Sequence, residues 1–225
     1  MPKSYLCSIM DISERLIVLN STKLGDSSLV LHCLCRSLGR RSFIVSVRKG
    51  GTRALYLPLS VLDAEVIRNS KSELWRLHGI SAVYPLNGIR SDFDKNAMAM
   101  FMSEVLYRAV QDGSAEESLF DWAEKEILTL DRLEGDFTNY HLRFLMELAG
   151  ELGFAPDFSS LAPFAGENLR EISYLLSADL PSFMVYPLSG TRRSAIAESL
   201  IRYLSAHLEI SLNIRSLAVL GELYR

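Results

Sequence analysis

The spacing of the apolar residues changes once along the chain, between Pro85 and Arg90. Before that point, short runs rich in Val, Ile and Leu (14–20, 27–35, 41–47, 59–67 and 73–83) are separated by turn signals: LGD, LGRR, KGG and RNSKS. Such runs at such spacing predict β-strands. In RSFIVSV the residues Phe43, Val45 and Val47 share one face. Five short strands suit a small closed barrel or a sandwich, since both deal with exposed edges; periodicity leaves the two open.

After the change the period is helical. Ser91 is expected to cap a helix with Asp92 and Asp94 in its first turn. Met98, Met102, Val105, Leu106 and Ala109 then form one stripe, widened by Ala97, Met100 and Phe101. Further helices are expected over 116–130, from Asp136 to Gly153, and from a Thr191 cap through Ile196, Leu200, Tyr203, Leu204 and His207, with a short one after Arg215. The prolines at 156, 163, 181 and 187 predict an irregular lobe over 156–190, broken by one short helix at 168–176. The expected class is therefore α+β, with a β domain over 1–85 and a helical domain over 86–225.

Charge divides at the same place. The 225 residues carry a net charge of −3, yet residues 1–80 hold 12 Lys and Arg against 6 Asp and Glu, and the remainder holds 12 against 21. Between Asp26 and Asp63 there is no acidic residue, and that window carries Arg36, Arg40, Arg41, Arg48, Lys49 and Arg53. Clustered cations at turns can neutralise phosphates and release condensed counterions. Gly39, Gly50 and Gly51 beside them allow close backbone approach. Lys23 and Arg76 extend the surface if the fold brings them near, and Tyr56 is a candidate for stacking on a base. A merely solvated face would carry similar arginines, so the proposal belongs to the window as a whole.

The sequence points away from catalysis. It lacks a phosphate-binding loop, a dinucleotide fingerprint and a nucleophile elbow. His32, His78, His141 and His207 lack metal-ligand spacing, and the acidic run Glu116, Glu117, Asp121, Glu124 and Glu126 fits a solvated helix face better than a nuclease centre. Cys7, Cys33 and Cys35 do not form a disulfide framework; Cys33 and Cys35 share a strand face and are expected to be buried, inert thiols. No apolar stretch approaches membrane-helix length and the opening residues do not resemble a signal peptide, so a cytoplasmic protein with no membrane partner is expected.

Several stretches resemble the RecO family of bacterial recombination mediators. They are LIVLNSTKLGDSSLVLHCLCRSLGRRSFIV (16–45), VRKGGTR (47–53), YPLNGIRSDFDKNAMAMFMSEVL (84–106), LRFLMELAGELGFAPDF (142–158), which contains LGFAPD, and LIRYLSAHLEISLNIRSLAVL (200–220). The resemblance implies an N-terminal OB-fold barrel followed by a helical domain with a small irregular lobe. It implies binding and annealing of single- and double-stranded DNA, and help in loading a recombinase onto strands coated with single-strand-binding protein, in the nucleoid. The implied partners are a RecR-like protein, the acidic C-terminal tail of single-strand-binding protein and, in some members, RecF. Arg132, Arg143, Arg202 and Arg215 are the candidates for holding such a tail. Many members carry four cysteines of a structural zinc site after the Ala-Pro-Asp stretch. Here no cysteine follows Cys35, so no zinc and no cofactor are expected, and the lobe must pack through Phe158, Leu161, Phe164, Phe183 and Tyr186. A protein–protein adaptor with incidental DNA affinity is the alternative.

Overall fold

A computed structural model describes residues 12–47, 53–68, 74–113 and 115–224. Five strands, β1 (Ile12–Leu24), β2 (Ser28–Cys35), β3 (Gly39–Ser46), β4 (Val61–Ile67) and β5 (Trp75–Ala82), close into a barrel in the order β1-β2-β3-β5-β4. This is the OB-fold arrangement. The long β1 pairs antiparallel with β4 through its first half and with β2 through its second, and its register shifts between Val18 and Asn20. Such an irregularity bends a strand enough to serve two partners. Closure comes from a short parallel seam, Phe43 against Trp75 and Ile44 against Arg76.

Alternation fills the barrel. Leu16, Val18, Leu31, Cys33, Cys35, Phe43, Val45, Leu62, Ala64, Val66 and Leu77 pack in one cluster, with Val47 against its edge. Gly39 turns the chain from β2 into β3 at φ +66°, in the left-handed region that favours glycine. Buried Glu14 holds the same turn by accepting from the backbone N–H and hydroxyl of Ser37.

The chain divides into two compact units, one of Met1–Pro85 with Asp112–Glu116, the other of Leu86–Gln111 with Glu117–Arg225. The second unit contains α1 (Asn87–Ser91), α2 (Phe93–Ala109), α3 (Glu117–Arg132), α4 (Tyr140–Glu151), α5 (Phe158–Ala165), α6 (Leu169–Ser177), α7 (Leu180–Met184), α8 (Gly190–Leu208) and α9 (Ser216–Leu223). Ser91 ends α1, and the cap of α2 is Asp92, whose carboxylate accepts from the N–H groups of Asp94 and Lys95. Likewise Ser189, not Thr191, caps α8. Asp accepts there as well as Ser does, so composition could not separate neighbouring caps.

The lobe at 156–190 is more helical than expected. Asp157 and Ser160 form a capping box that starts α5, and Asp179 caps α7 with Pro181 in its first turn. A proline there forfeits no bond, because first-turn N–H groups have no helical partner anyway. Pro163 lies inside α5, which ends two residues later. Leu161 and Phe183 are buried in this lobe, Phe164 packs edge-on against Tyr203, and Tyr186 stacks on Tyr174. Phe158, expected in that core, is instead exposed at the first position of α5.

A buried polar network holds this unit. Arg193 donates to the Asn139 side chain and to the carbonyls of Leu188 and Tyr224, at 2.9–3.0 Å. Asn139 in turn faces the carbonyls of Phe183, Met184 and Tyr186 at 2.9–3.2 Å. Buried Tyr140 donates to the Glu126 carboxylate at 2.7 Å. Beside this network His141 is buried against Phe101 and Tyr224. Burial, reinforced by the Arg193 charge, pushes its pKa down to about 3.

An unfolded histidine titrates near 6.5, so below that pH the unfolded chain takes up a proton that the folded chain refuses. Stability from His141 is therefore full above pH 6.5 and is lost as pH falls toward 3. Chemical denaturation at pH 7 and pH 5 should show wild type losing about 2 kcal/mol more than His141→Gln. Equal losses would place the ring in solvent.

Candidate nucleic-acid interface

The seam is where the barrel opens. β3 and β5 pair over two positions and then separate, leaving a cleft of about 710 Å³. Ser28, Ile44 and Ser46 form one wall and Arg76, His78 and Ile80 the other, with Leu55, Tyr56 and Leu77 also lining it. Leu55 and Tyr56 belong to a 3-10 turn at Arg53–Tyr56. In sequence, the turn and the end of β3 bracket residues 48–52.

The proposed residues fall in different places. Arg53 and Arg76 are exposed, Arg53 on the 3-10 turn and Arg76 at the cleft wall. Arg48 and Lys49 lie outside the described residues. Exposed Lys23 pairs loosely with Asp26, 3.9 Å away in the β1–β2 hairpin. Arg36 is exposed just after β2. Arg40 donates from Nε to Asp112 at 2.7 Å. Arg41 has the same parity as Phe43 and places its guanidinium 4.9 Å from the Trp75 ring centroid. Its Nε is buried with no hydrogen-bond partner.

Tyr56 departs from its expected part. It is 6% exposed and packs in the barrel cluster, so its ring has no free face for a base. In the four-residue 3-10 turn Arg53 is exposed, whereas Tyr56 is drawn into the barrel cluster by its apolar neighbours.

Two residues of this unit were missed from the sequence. Arg68, just after β4, also lies 4.9 Å from the Trp75 centroid, so one indole attracts two guanidinium groups. An indole face attracts a cation by about 0.5–1 kcal/mol at an exposed site. The tryptophan in SELWRLHG was a signal, but its pairing with Arg41 and Arg68 requires the seam. On the outer face of β1, β2 and β3 a polar row crosses the strands: His32 Nδ1 lies 2.8 Å from Ser42 Oγ and Nε2 lies 3.5 Å from Thr22 Oγ1. Burial and then the Arg40 charge lower the pKa of His32, and Asp112 opposes them.

In the helical unit the four candidate arginines lie apart in the chain, three on different helices and Arg215 just ahead of α9. Arg132 is exposed at the end of α3, and Arg215 is exposed ahead of α9. Arg202 donates to the Phe164 carbonyl and the Ser199 hydroxyl. Arg143 pairs with Glu147, and both line a largely apolar cleft of about 400 Å³ with Met146, Leu175, Leu176, Leu180 and Phe183. Among the described residues no group of three or more His, Cys, Asp or Glu side chains stands close enough to hold a metal ion, and no helix is long and apolar enough to cross a membrane.

Comparison with known proteins follows the same lines. Residues 90–162 match the family described as Recombination protein O C terminal. The DNA repair protein RecO of Phocaeicola vulgatus is 30% identical over 233 residues, covering 92% of this chain and 97% of its own. That of Flavobacterium johnsoniae is 34% identical over 157 residues, covering 68% of this chain and 66% of its own. That of Flavobacterium psychrophilum is 28% identical over 238 residues, covering 96% and 100%.

Two thiols of the described residues face the barrel interior. Cys33 and Cys35 are buried free thiols whose pKa values burial raises well above the usual range. The thiolate is the reactive form, so in a Cys7→Ser variant neither thiol should react with an aromatic disulfide reagent at pH 8 until denaturant is added. Prompt reaction of either in the native protein would contradict the closed barrel.

Proposed function

Because this chain belongs to the RecO family of DNA repair proteins, we propose that it serves DNA repair and recombination by binding DNA through its barrel. The chemistry is association, with no bond made or broken. In this reading the cleft at the seam accepts single-stranded DNA, and the rim cations also engage duplex. Strands held side by side can anneal, and recombinase loading on strands coated with single-strand-binding protein follows from access to those strands.

One observation carries the reading. Arg76 lines the cleft together with Leu55 and Tyr56 of the turn that starts at exposed Arg53, and Arg48 and Lys49 lie in sequence between Ser46 of the cleft and that turn. Counterion release from phosphates then supplies most of the affinity and little sequence preference. A RecR-like protein, the acidic tail of single-strand-binding protein and RecF are the proposed partners, at work in the cytoplasm on the nucleoid. For the tail, the apolar cleft beside Arg143 supports a choice among the four arginines: greasy side chains enter it while Arg143 meets a carboxylate.

Fluorescence anisotropy with an unstructured labelled oligonucleotide tests the DNA reading. With about five phosphates engaged, affinity should fall about a hundredfold over a fourfold rise in salt. Reversing Arg48, Lys49, Arg53 and Arg76 to Glu should weaken binding on every sequence alike; unchanged affinity would make the segment mere surface. For the tail, Arg143→Ala should weaken a labelled acidic peptide roughly tenfold, as loss of a charge-assisted pair does, and Arg132→Ala should not. Equal effects would remove the α4 cleft from consideration.

A further inference from the structure

β5 begins to pair with β3 at Phe43, so the earlier residues of β3 have an edge that β5 does not cover. Asp112 takes that edge. It forms a parallel bridge with Arg40, and the N–H of Gly113 donates to the Arg40 carbonyl at 3.2 Å. From this position the Asp112 carboxylate accepts from Arg40 Nε at 2.7 Å. Gly113 at φ +79° lets the chain leave again, with Arg41 Nη2 3.9 Å from where a Cβ would stand. The segment Asp112–Glu116 belongs by its contacts to the barrel unit, although the residues on either side of it belong to the helical unit. It brings Asp112 and Glu116 into the barrel unit, with Asp112 against Arg40.

The geometry matters because a carboxylate and a phosphate compete for the same guanidinium donors. Arg40 is largely covered, its side chain 19% exposed, whereas Asp112 is 75% exposed. The acid is therefore the more accessible partner, held by two backbone contacts rather than by burial. Its carboxylate engages the Nε donor of Arg40. His32 feels both charges, which places the pair over the outer face of β2 and β3.

We propose that Asp112 is a built-in acidic competitor: it occupies Arg40 in the absence of nucleic acid, and a phosphate must replace it there. The inference rests on the DNA-binding reading of the barrel. An isolated phosphate gains nothing by the exchange, since one anion replaces another. A strand presenting several phosphates at once gains at the neighbouring cations and carries the exchange with it. The competitor therefore lowers affinity for isolated anions and short strands more than for long ones, and it withholds one cation from the count of counterions released.

Two signatures separate this from a simple change in net charge. Asp112→Asn keeps the shape and the backbone contacts but removes the carboxylate charge that competes with phosphate at Arg40. The variant should bind labelled oligothymidylate roughly two- to fivefold more tightly at low salt, the factor a partly exposed ion pair supports. Its plot of log affinity against log salt should steepen by about 0.7, one additional phosphate contact on a single strand. Both gains should vanish when Arg40→Gln is combined with Asp112→Asn, and Arg40→Gln alone should change the wild-type slope little. Circular dichroism and thermal melting of each variant report that the barrel is intact. If Asp112→Asn leaves affinity and slope unchanged while wild type binds steeply, the competitor is overturned and the DNA reading stands. If the gain survives Arg40→Gln, a general charge effect is at work and the competitor is again overturned. A wild-type chain that does not bind the oligonucleotide overturns both.

Discussion

The barrel depends on a closure made with very little backbone. β1 serves two neighbours, but the ring is completed by two residue pairs between β3 and β5, at Phe43 and Ile44. A parallel seam this short leaves both its ends open, and the molecule uses them differently. At one end the strands part into the cleft beside Arg76 and the 3-10 turn. At the other, the free edge of β3 is covered by Asp112 and Gly113, which removes an exposed strand edge. Phe43 fills the interior beside the seam, so the packing that closes the ring also fixes where it opens.

Charge follows the same geometry. The chain is acidic in total, yet its barrel is basic, and a polyanion responds to the local field within about 10 Å at moderate salt rather than to the sum. The cations are not equivalent. Arg53 and Arg76 are exposed near the cleft, Arg41 and Arg68 gather about Trp75, and Arg40 is engaged by an acid. The helical unit is held differently, by Arg193 and Asn139 satisfying carbonyls in the interior. Leaving those carbonyls without donors would cost about 1–3 kcal/mol for each buried group. Arginine is exposed beside the cleft in one unit and satisfies the interior in the other.

The sequence made the strands, the main helices and the place where one pattern gives way to the other legible, because each rests on local alternation or a 3.6-residue stripe. The resemblance supplied the OB-fold, which alternation alone left undecided between barrel and sandwich. What could not be read was non-local. Trp75 meets Arg41 and Arg68 because of a pairing between strands some thirty residues apart. Asp112 reaches Arg40 across the whole of α2. Tyr56 is packed in the barrel cluster, which an aromatic beside basic residues does not reveal. The lobe looked irregular because prolines were weighed without their caps, and Asp157 and Asp179 supply the starts that place Pro181 harmlessly.

We propose that nucleic acid is held at the seam of the barrel. Hydrogen–deuterium exchange of the full chain, with and without a saturating unstructured oligonucleotide, tests it directly. Protection should concentrate in β3 from Ile44 to Ser46, in the Arg53–Tyr56 turn and in β5 from Arg76 to Ile80, with α3, α4 and α8 unchanged. Protection confined to the helices, with the barrel amides exchanging as before, would contradict the account.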